Sequence, residues 1–347
     1  MMILVVVSLL LTACTPGKTV TPQTIPVLRV MTHDSFSLSE TVVREFEAEN
    51  NVTLEFIKSG DSGSLLNRAI LTKSAPQADI LFGVDSTFLS RALNEGIFEA
   101  YTSPMLADIP TEFKLDPENR ALPVDYGDVC INYDKAYFDQ NDLQLPDSLG
   151  ALTDPAYKDL LAVENPATSS PGMAFLLATV AEFGEDGYLS YWETLKANGL
   201  VIVNDWETAY YTNFSASSGR GPQPMVVSYS SSPAAEVVYA ETVLTESPTA
   251  SLVDPGMCFR QVEFIGILAG TKNRALAESF IDAMLDVPIQ EDIPLQMFVY
   301  PVNSRAALPQ VFVENSQIPQ APSMLAPDWI DENRDRILQA WTDTILK

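Results

Sequence analysis

Three short strings decide the fold: Val27-Leu28-Arg29-Val30-Met31-Thr32, Val52 to Ile57, and Ala78-Asp79-Ile80-Leu81-Phe82-Gly83-Val84. Each is an apolar or alternating run of strand length. Between them, Leu38 to Glu49 carries Val42, Val43 and Phe46 at helical spacing, and Leu65 to Leu71 and Phe88 to Leu93 read as further helices. A strand–helix rhythm of this kind predicts a parallel sheet covered by helices, hence an α/β fold. Ligands on such sheets bind beyond the carboxyl ends of the strands. Polar tips stand at those three places: His33-Asp34-Ser35-Phe36, Gly60-Asp61-Ser62-Gly63-Ser64 and Asp85-Ser86.

The pattern continues outward. Val124 to Tyr133 is a loop entering a strand; Leu161 to Val163, Val201 to Val203 and Met225 to Val227 are strands, and Met173 to Phe183 is a helix. Phe259 to Gly270 is a long apolar strand, followed by a helix over Ala275 to Leu285. Ile337, Trp341 and Ile345 sit four apart, as in an amphipathic closing helix. Two α/β units joined by crossing strands fit one chain of 347 residues.

The amino end reads as a leader. Met2 to Leu11 is apolar but too short to span a bilayer, and Leu11-Thr12-Ala13-Cys14 looks like a bacterial lipobox. The expectation is a signal peptide over 1–13, a lipidated Cys14, and a Thr- and Pro-rich tether over 14–26. No Lys or Arg precedes the apolar run. In an oxidising compartment the remaining pair, Cys130 and Cys258, either forms a disulfide or stays as two buried thiols.

Composition narrows the function. With 46 acidic and 20 basic residues the formal charge is −26, which repels nucleic acid and favours a cationic ligand. No GxGxxG follows the first strand and no GxxxxGK[ST] occurs, so dinucleotide and P-loop sites are not expected. One histidine, His33, and no GxSxG leave catalysis poorly supported. A hydrolase built on His33 is the remaining enzymatic reading, against which His33 is a polar strand-end residue. Zinc sites that need several His or Cys are excluded.

Site candidates follow from chemistry. Ser169-Ser170-Pro171-Gly172 opens an apolar helix: Ser170 suits the cap, Pro171 the first turn, and the free N–H groups an anion or hydroxyl, although plain capping needs no ligand. Trp206, after a strand in Asp205-Trp206-Glu207, is either a core anchor or a face for a cationic ring. Tyr229 and Ser230 in Ser228-Tyr229-Ser230-Ser231-Ser232-Pro233 offer an aromatic among hydroxyls, with Pro233 starting a helix. Tyr210-Tyr211 could supply phenolates to ferric iron, but adjacent helical side chains diverge by about 100°, so one is expected to face the core.

Together the strings resemble the thiamine-binding proteins of bacterial ABC importers, within the thiamine/iron group of periplasmic binding proteins. Thr32-His33-Asp34-Ser35-Phe36 resembles that family's opening T-Y-D-S-F. Leu65 to Arg68, Ala78 to Asp85, Pro123 to Gly127, Thr168 to Gly172, Trp206 to Tyr210, Ser228 to Pro233 and Tyr300 to Val302 follow in the family's order. The resemblance implies a two-lobed type II periplasmic binding fold with a ligand cleft between the lobes and hinge strands joining them. One lobe is expected over about 27–125 and 259–347, the other over about 126–258. It implies an extracytoplasmic, lipid-anchored receptor that captures thiamine or its phosphates by lobe closure for an ABC permease, with no enzyme activity and no cofactor. A ferric-iron binder of the same fold is the alternative. Asp61, Ser169, Trp206 and Tyr229 match cleft positions, and Asp34 and Asp125 lie in matching loops. Two positions depart: His33 stands for the family's first-loop Tyr, and Ala235 for a Tyr two residues after the Ser-Pro.

Overall fold

The computed structural model describes residues 25–216 and 220–347. The leader, Cys14 and the tether up to residue 24 lie outside the described residues. The strands, in chain order, are β1 (Val27–Thr32), β2 (Thr53–Lys58), β3 (Ile80–Asp85), β4 (Phe98–Glu99), β5 (Leu122–Asp134), β6 (Leu161–Glu164), β7 (Val201–Val203), β8 (Met225–Tyr229), β9 (Thr249–Leu252), β10 (Phe259–Leu268) and β11 (Tyr300–Pro301). The helices are α1 (Glu40–Asn50), α2 (Ser62–Leu71), α3 (Leu89–Asn94), α4 (Lys135–Gln140), α5 (Ser170–Ala197), α6 (Trp206–Thr208), α7 (Ser232–Val238), α8 (Arg274–Leu285), α9 (Val287–Met297), α10 (Gln310–Asn315) and α11 (Pro327–Trp341).

The strands join in the order β2-β1-β3-β10-β5-β8-β6-β7. β1 runs parallel to β2 and β3, as the opening rhythm predicts, and β6 runs parallel to β7 and β8. β10 and β5 lie between these parallel sets, antiparallel to each other and to β3 and β8 respectively. β3, flanked by β1 and β10, is buried along its whole length, which is why it reads as a largely apolar run.

Two large cores, beside two smaller clusters, give two lobes. The first gathers Leu28, Val30, Phe82, Val124, Val262, Phe264 and Phe280. The second gathers Val129, Ile131, Val163, Phe175, Trp192, Val227 and Phe259. β5 passes from one core to the other between Val124 and Val129, and β10 between Phe259 and Val262. These are the crossing strands. They are held together where they cross: the buried Asp128 carboxylate takes Arg260 in a two-pronged bridge of 2.8 and 2.9 Å. The Arg260 guanidinium lies 4.7 Å over the Tyr126 ring. On the second-lobe side, Cys130 and Cys258 form a disulfide, so the two are bridged rather than free.

The closing helix departs from the sequence expectation. Residues to 347 were expected with the first lobe, but α11 and the turn after it bury Ile330, Ile337, Trp341 and Ile345 in the second core. Trp341 meets Trp192 edge to face at 5.3 Å. Its apolar stripe was legible, but which of two cores receives a stripe depends on where the chain returns. α11 also touches the first lobe, where the Ser90 hydroxyl donates to the Pro327 carbonyl at 2.9 Å. α5 is longer than expected, because it merges two helices across Gly184, which adopts φ 69° and ψ 172°.

Candidate functional site

A cavity of about 1030 Å³ opens between the lobes. The polar tips line it. His33 and Asp34 follow β1, Gly60 and Asp61 follow β2, Ser170 starts α5 after β6, Asp205 and Trp206 follow β7, and Tyr229 ends β8. Among the described residues, eight carboxylates line the cavity: Asp34, Asp61, Asp125, Asp205, Glu207, Glu236, Glu241 and Glu263. Arg220 is the one lysine or arginine among the described residues that lines it with them. In a low-dielectric cleft such an imbalance draws and holds a cation.

The deepest group of charges sits where the crossing strands pair. Asp125 on β5 and Glu263 on β10 are direct cross-strand partners. Asp125 is wholly buried, and no N–H or O–H of the described residues reaches either of its oxygens. Two ionised carboxylates so placed repel strongly, so one keeps a proton and shares it with the other. Glu263 is the ionised member, since His33 Nε2 lies 3.4 Å from its Oε2. Burial opposes charge on His33, but Glu263, Asp61 and Asp34 win and hold its pKa above the ordinary value. Burial works against Glu263 as well, yet His33 and Asp125 bring its pKa below the usual value. Desolvation and the adjacent Glu263 push Asp125 well above. The position of His33 depends on Gly83, which has φ +100° and whose added Cβ would fall 2.3 Å from the imidazole.

The aromatic wall lies on the second lobe. Trp206 stacks on Tyr210 at 5.0 Å with 18° between the planes, and its indole N–H donates to Ser228 Oγ at 2.9 Å. Trp206 is half-buried, so one face packs while part of the ring meets the cavity. Tyr229 sits across Gly127, where an added Cβ would come within 2.7 Å of the ring. Phe298 and Tyr239 also line the cavity, their rings tilted by 54° with centroids 5.2 Å apart. Tyr239 stands four residues beyond Ala235, and both line the cavity.

Of the residues singled out in the sequence, Asp34, Asp61, Asp125, Ser170, Trp206 and Tyr229 face the cavity. Ser169 and Ser230 do not: both are buried, and Ser230 turns its hydroxyl to Tyr300 at 3.4 Å. Ser169 is the cap of α5, so Ser170 falls one position later than expected, in the first turn. Tyr210 and Tyr211 both touch the cavity with their rings 85° apart; Tyr210 is buried behind Trp206, and Tyr211 is exposed. Sequence reasoning missed Glu263, Gln261 and Glu236. The available signal for Glu263 was a carboxylate inside an apolar strand, which demands a buried partner.

A two-lobed α/β molecule with an acidic, aromatic cleft at its strand ends has the architecture of a solute-binding protein. Comparison with known families agrees: the chain belongs to the family described as bacterial extracellular solute-binding protein, matched over residues 75–333. The thiamine-binding periplasmic protein of Salmonella typhimurium is 28% identical over 327 residues, spanning 93% of this chain and 94% of the relative. Its counterpart from Escherichia coli is 28% identical over 328 residues, with the same coverage. A solved structure described as a periplasmic thiamin binding protein superposes with a TM-score of 0.81 at 26% identity, covering 94% of this chain and 98% of that one. No helix among the described residues is long and apolar enough to cross a membrane.

Proposed function

We propose that this protein captures thiamine between its lobes and delivers it to an ABC permease. The observation that carries this is the cleft itself, where eight carboxylates and a wall of aromatic rings face a single arginine among the described residues. Thiamine is a permanent thiazolium cation joined to a flat aminopyrimidine. Trp206 and Tyr229 offer ring faces, for which cation–π attraction is worth roughly 0.5–2 kcal/mol. Asp61, Asp125 and Glu263 supply the balancing charge and accept from the exocyclic amine. The names of the relatives support the same ligand.

Capture proceeds by closure of the lobes about β5 and β10. The Asp128–Arg260 bridge and the disulfide keep the crossing strands together while each core moves as a unit. The ferric-iron alternative is less well supported. Burial and Glu236 keep the Tyr210 phenol protonated, and its ring is engaged with Trp206. The leader over 1–13, lipidation of Cys14 and the tether over 14–26 would hold the receptor at the membrane beside its permease.

Calorimetric titration tests the ligand. Thiamine is expected to bind one per chain in the micromolar range or tighter. No thiamine binding, with ferric citrate giving a visible tyrosinate colour, would refute the proposal. For the tether, Cys14→Ser should abolish incorporation of labelled fatty acid in cells.

A further inference from the structure

β10 leaves the second core at Phe259 and enters the first at Val262, so Arg260 and Gln261 stand between the two cores. Side chains alternate along a strand. Arg260 turns to Asp128 and the Tyr126 ring, whereas Gln261 turns into the cleft, as Glu263 does two residues on. A different lobe grips the strand on each side of this stretch. Cys258, just before β10, is bonded to Cys130, and Val262 is held by Ser86, whose N–H donates to the Val262 carbonyl at 2.8 Å. On β5, Gln261 is paired with Gly127, the residue whose missing Cβ leaves room for the Tyr229 ring.

The Gln261 amide is buried, and its contacts go to residues of the second lobe. Nε2 donates to the Ser170 hydroxyl at 2.9 Å and to the Ser170 carbonyl at 3.3 Å. Oε1 accepts from the Tyr229 hydroxyl in a long contact of 3.5 Å. The Ser170 hydroxyl in turn donates to Asp85, at the end of β3 in the first lobe. One amide on a crossing strand thus reaches two cleft residues of the second lobe and, through Ser170, the first lobe.

We infer that Gln261 is a positioning residue for ligand capture: from the stretch of β10 between the cores, its amide holds Ser170 and Tyr229 in place, so that closing the lobes brings an already ordered wall onto the ligand. This rests on the thiamine reading. A wall residue that is held before the ligand arrives has less freedom to lose on binding. Tyr229 needs such a hold, because the face it presents to Gly127 meets no side chain there. The bond to Ser170 carries most of the effect, being the shortest that the amide makes. Losing a buried hydrogen bond of this kind weakens binding by about 3- to 10-fold.

The test is calorimetric titration of the full chain with thiamine, with stopped-flow fluorescence for the rates and urea unfolding of the same variants. Gln261→Met has nearly the same length but neither donor nor acceptor. It is expected to bind thiamine up to about 10-fold more weakly, mainly through faster dissociation. Gln261→Asn keeps an amide that is one methylene too short to reach Ser170. It should show the same loss, which guards against a packing defect of the first variant. In a Ser170→Ala background, where the partner hydroxyl is gone, Gln261→Met should cost less than about threefold. An equal cost in both backgrounds would mean that Gln261 meets the ligand directly, and overturns the positioning role. A lowered urea midpoint with unchanged Kd and dissociation rate would make Gln261 a structural residue only, and overturns it as well. In both of these cases the wild type still binds thiamine and the thiamine reading stands. Failure of the wild type to bind thiamine refutes that reading and the inference with it.

Discussion

Replacing Asp125 by Asn should stabilise the ligand-free protein above neutral pH while weakening ligand binding. Asp125 and Glu263 face each other across β5 and β10, where opposed side chains sit about 5 Å apart. At an effective dielectric constant of about 20, two negative charges at that spacing repel by on the order of 3 kcal/mol. His33 compensates only Glu263. Asp125 therefore keeps its proton in the folded chain, and its pKa is raised. In the unfolded chain it ionises near pH 4. Its contribution is thus most favourable below that pH. It falls as pH rises toward the folded pKa, by about 1.4 kcal/mol for each unit. Asn is neutral throughout and its amide can donate to Glu263, so the variant escapes this loss. Urea denaturation should show Asp125→Asn and wild type nearly equal at pH 4, and the variant ahead at pH 8 by on the order of 2–3 kcal/mol. Binding should move oppositely. A cation entering the cleft lets Asp125 release its proton, so wild-type affinity rises with pH and the variant's does not. A variant less stable than wild type at pH 8, or one with the same pH slope of affinity, would refute the shared-proton arrangement.

Gly127→Ala places a methyl group 2.7 Å from the Tyr229 ring and should cost roughly 1–3 kcal/mol in urea denaturation, with weaker thiamine binding as the ring swings into the cleft; unchanged stability and affinity would count against it. Trp206→Ala should weaken thiamine by about 3- to 30-fold in calorimetry, and an unchanged Kd would make Trp206 a packing residue only. The Cys130→Ser/Cys258→Ser double variant opens a link spanning 128 residues and should lose about 2–5 kcal/mol in urea, whereas an unmoved midpoint would show that the link adds no stability.

Much of the cleft was legible because strand ends carry their own signal. Asp34 and Asp61 follow short apolar runs directly, and the α/β arrangement sends such tips to one edge of the sheet. Trp206 and Tyr229 were legible for the same reason. Ser230 misled, because one position along a turn reverses a side chain and sends its hydroxyl to Tyr300 instead of the cleft. Ser169 stands at the N-cap position of α5 with its hydroxyl buried and making no cap hydrogen bond, which the sequence pattern of a cap does not reveal. Glu263 escaped notice because it sits inside β10, where the sequence shows a strand but not which neighbour it faces.

The sequence by itself determined the alternation of strands and helices, the crossing-strand strings and the acidic balance. Those properties depend on local periodicity and composition, which survive in a one-dimensional reading. Only the tertiary structure decided that α11 joins the second core, that Glu263 lies opposite Asp125, and that Asp61 meets Ser170 from 109 residues away. Such pairings are set by strand register and by where the chain crosses between lobes. Register is selected by the packing of whole faces against one another, so no single string encodes it.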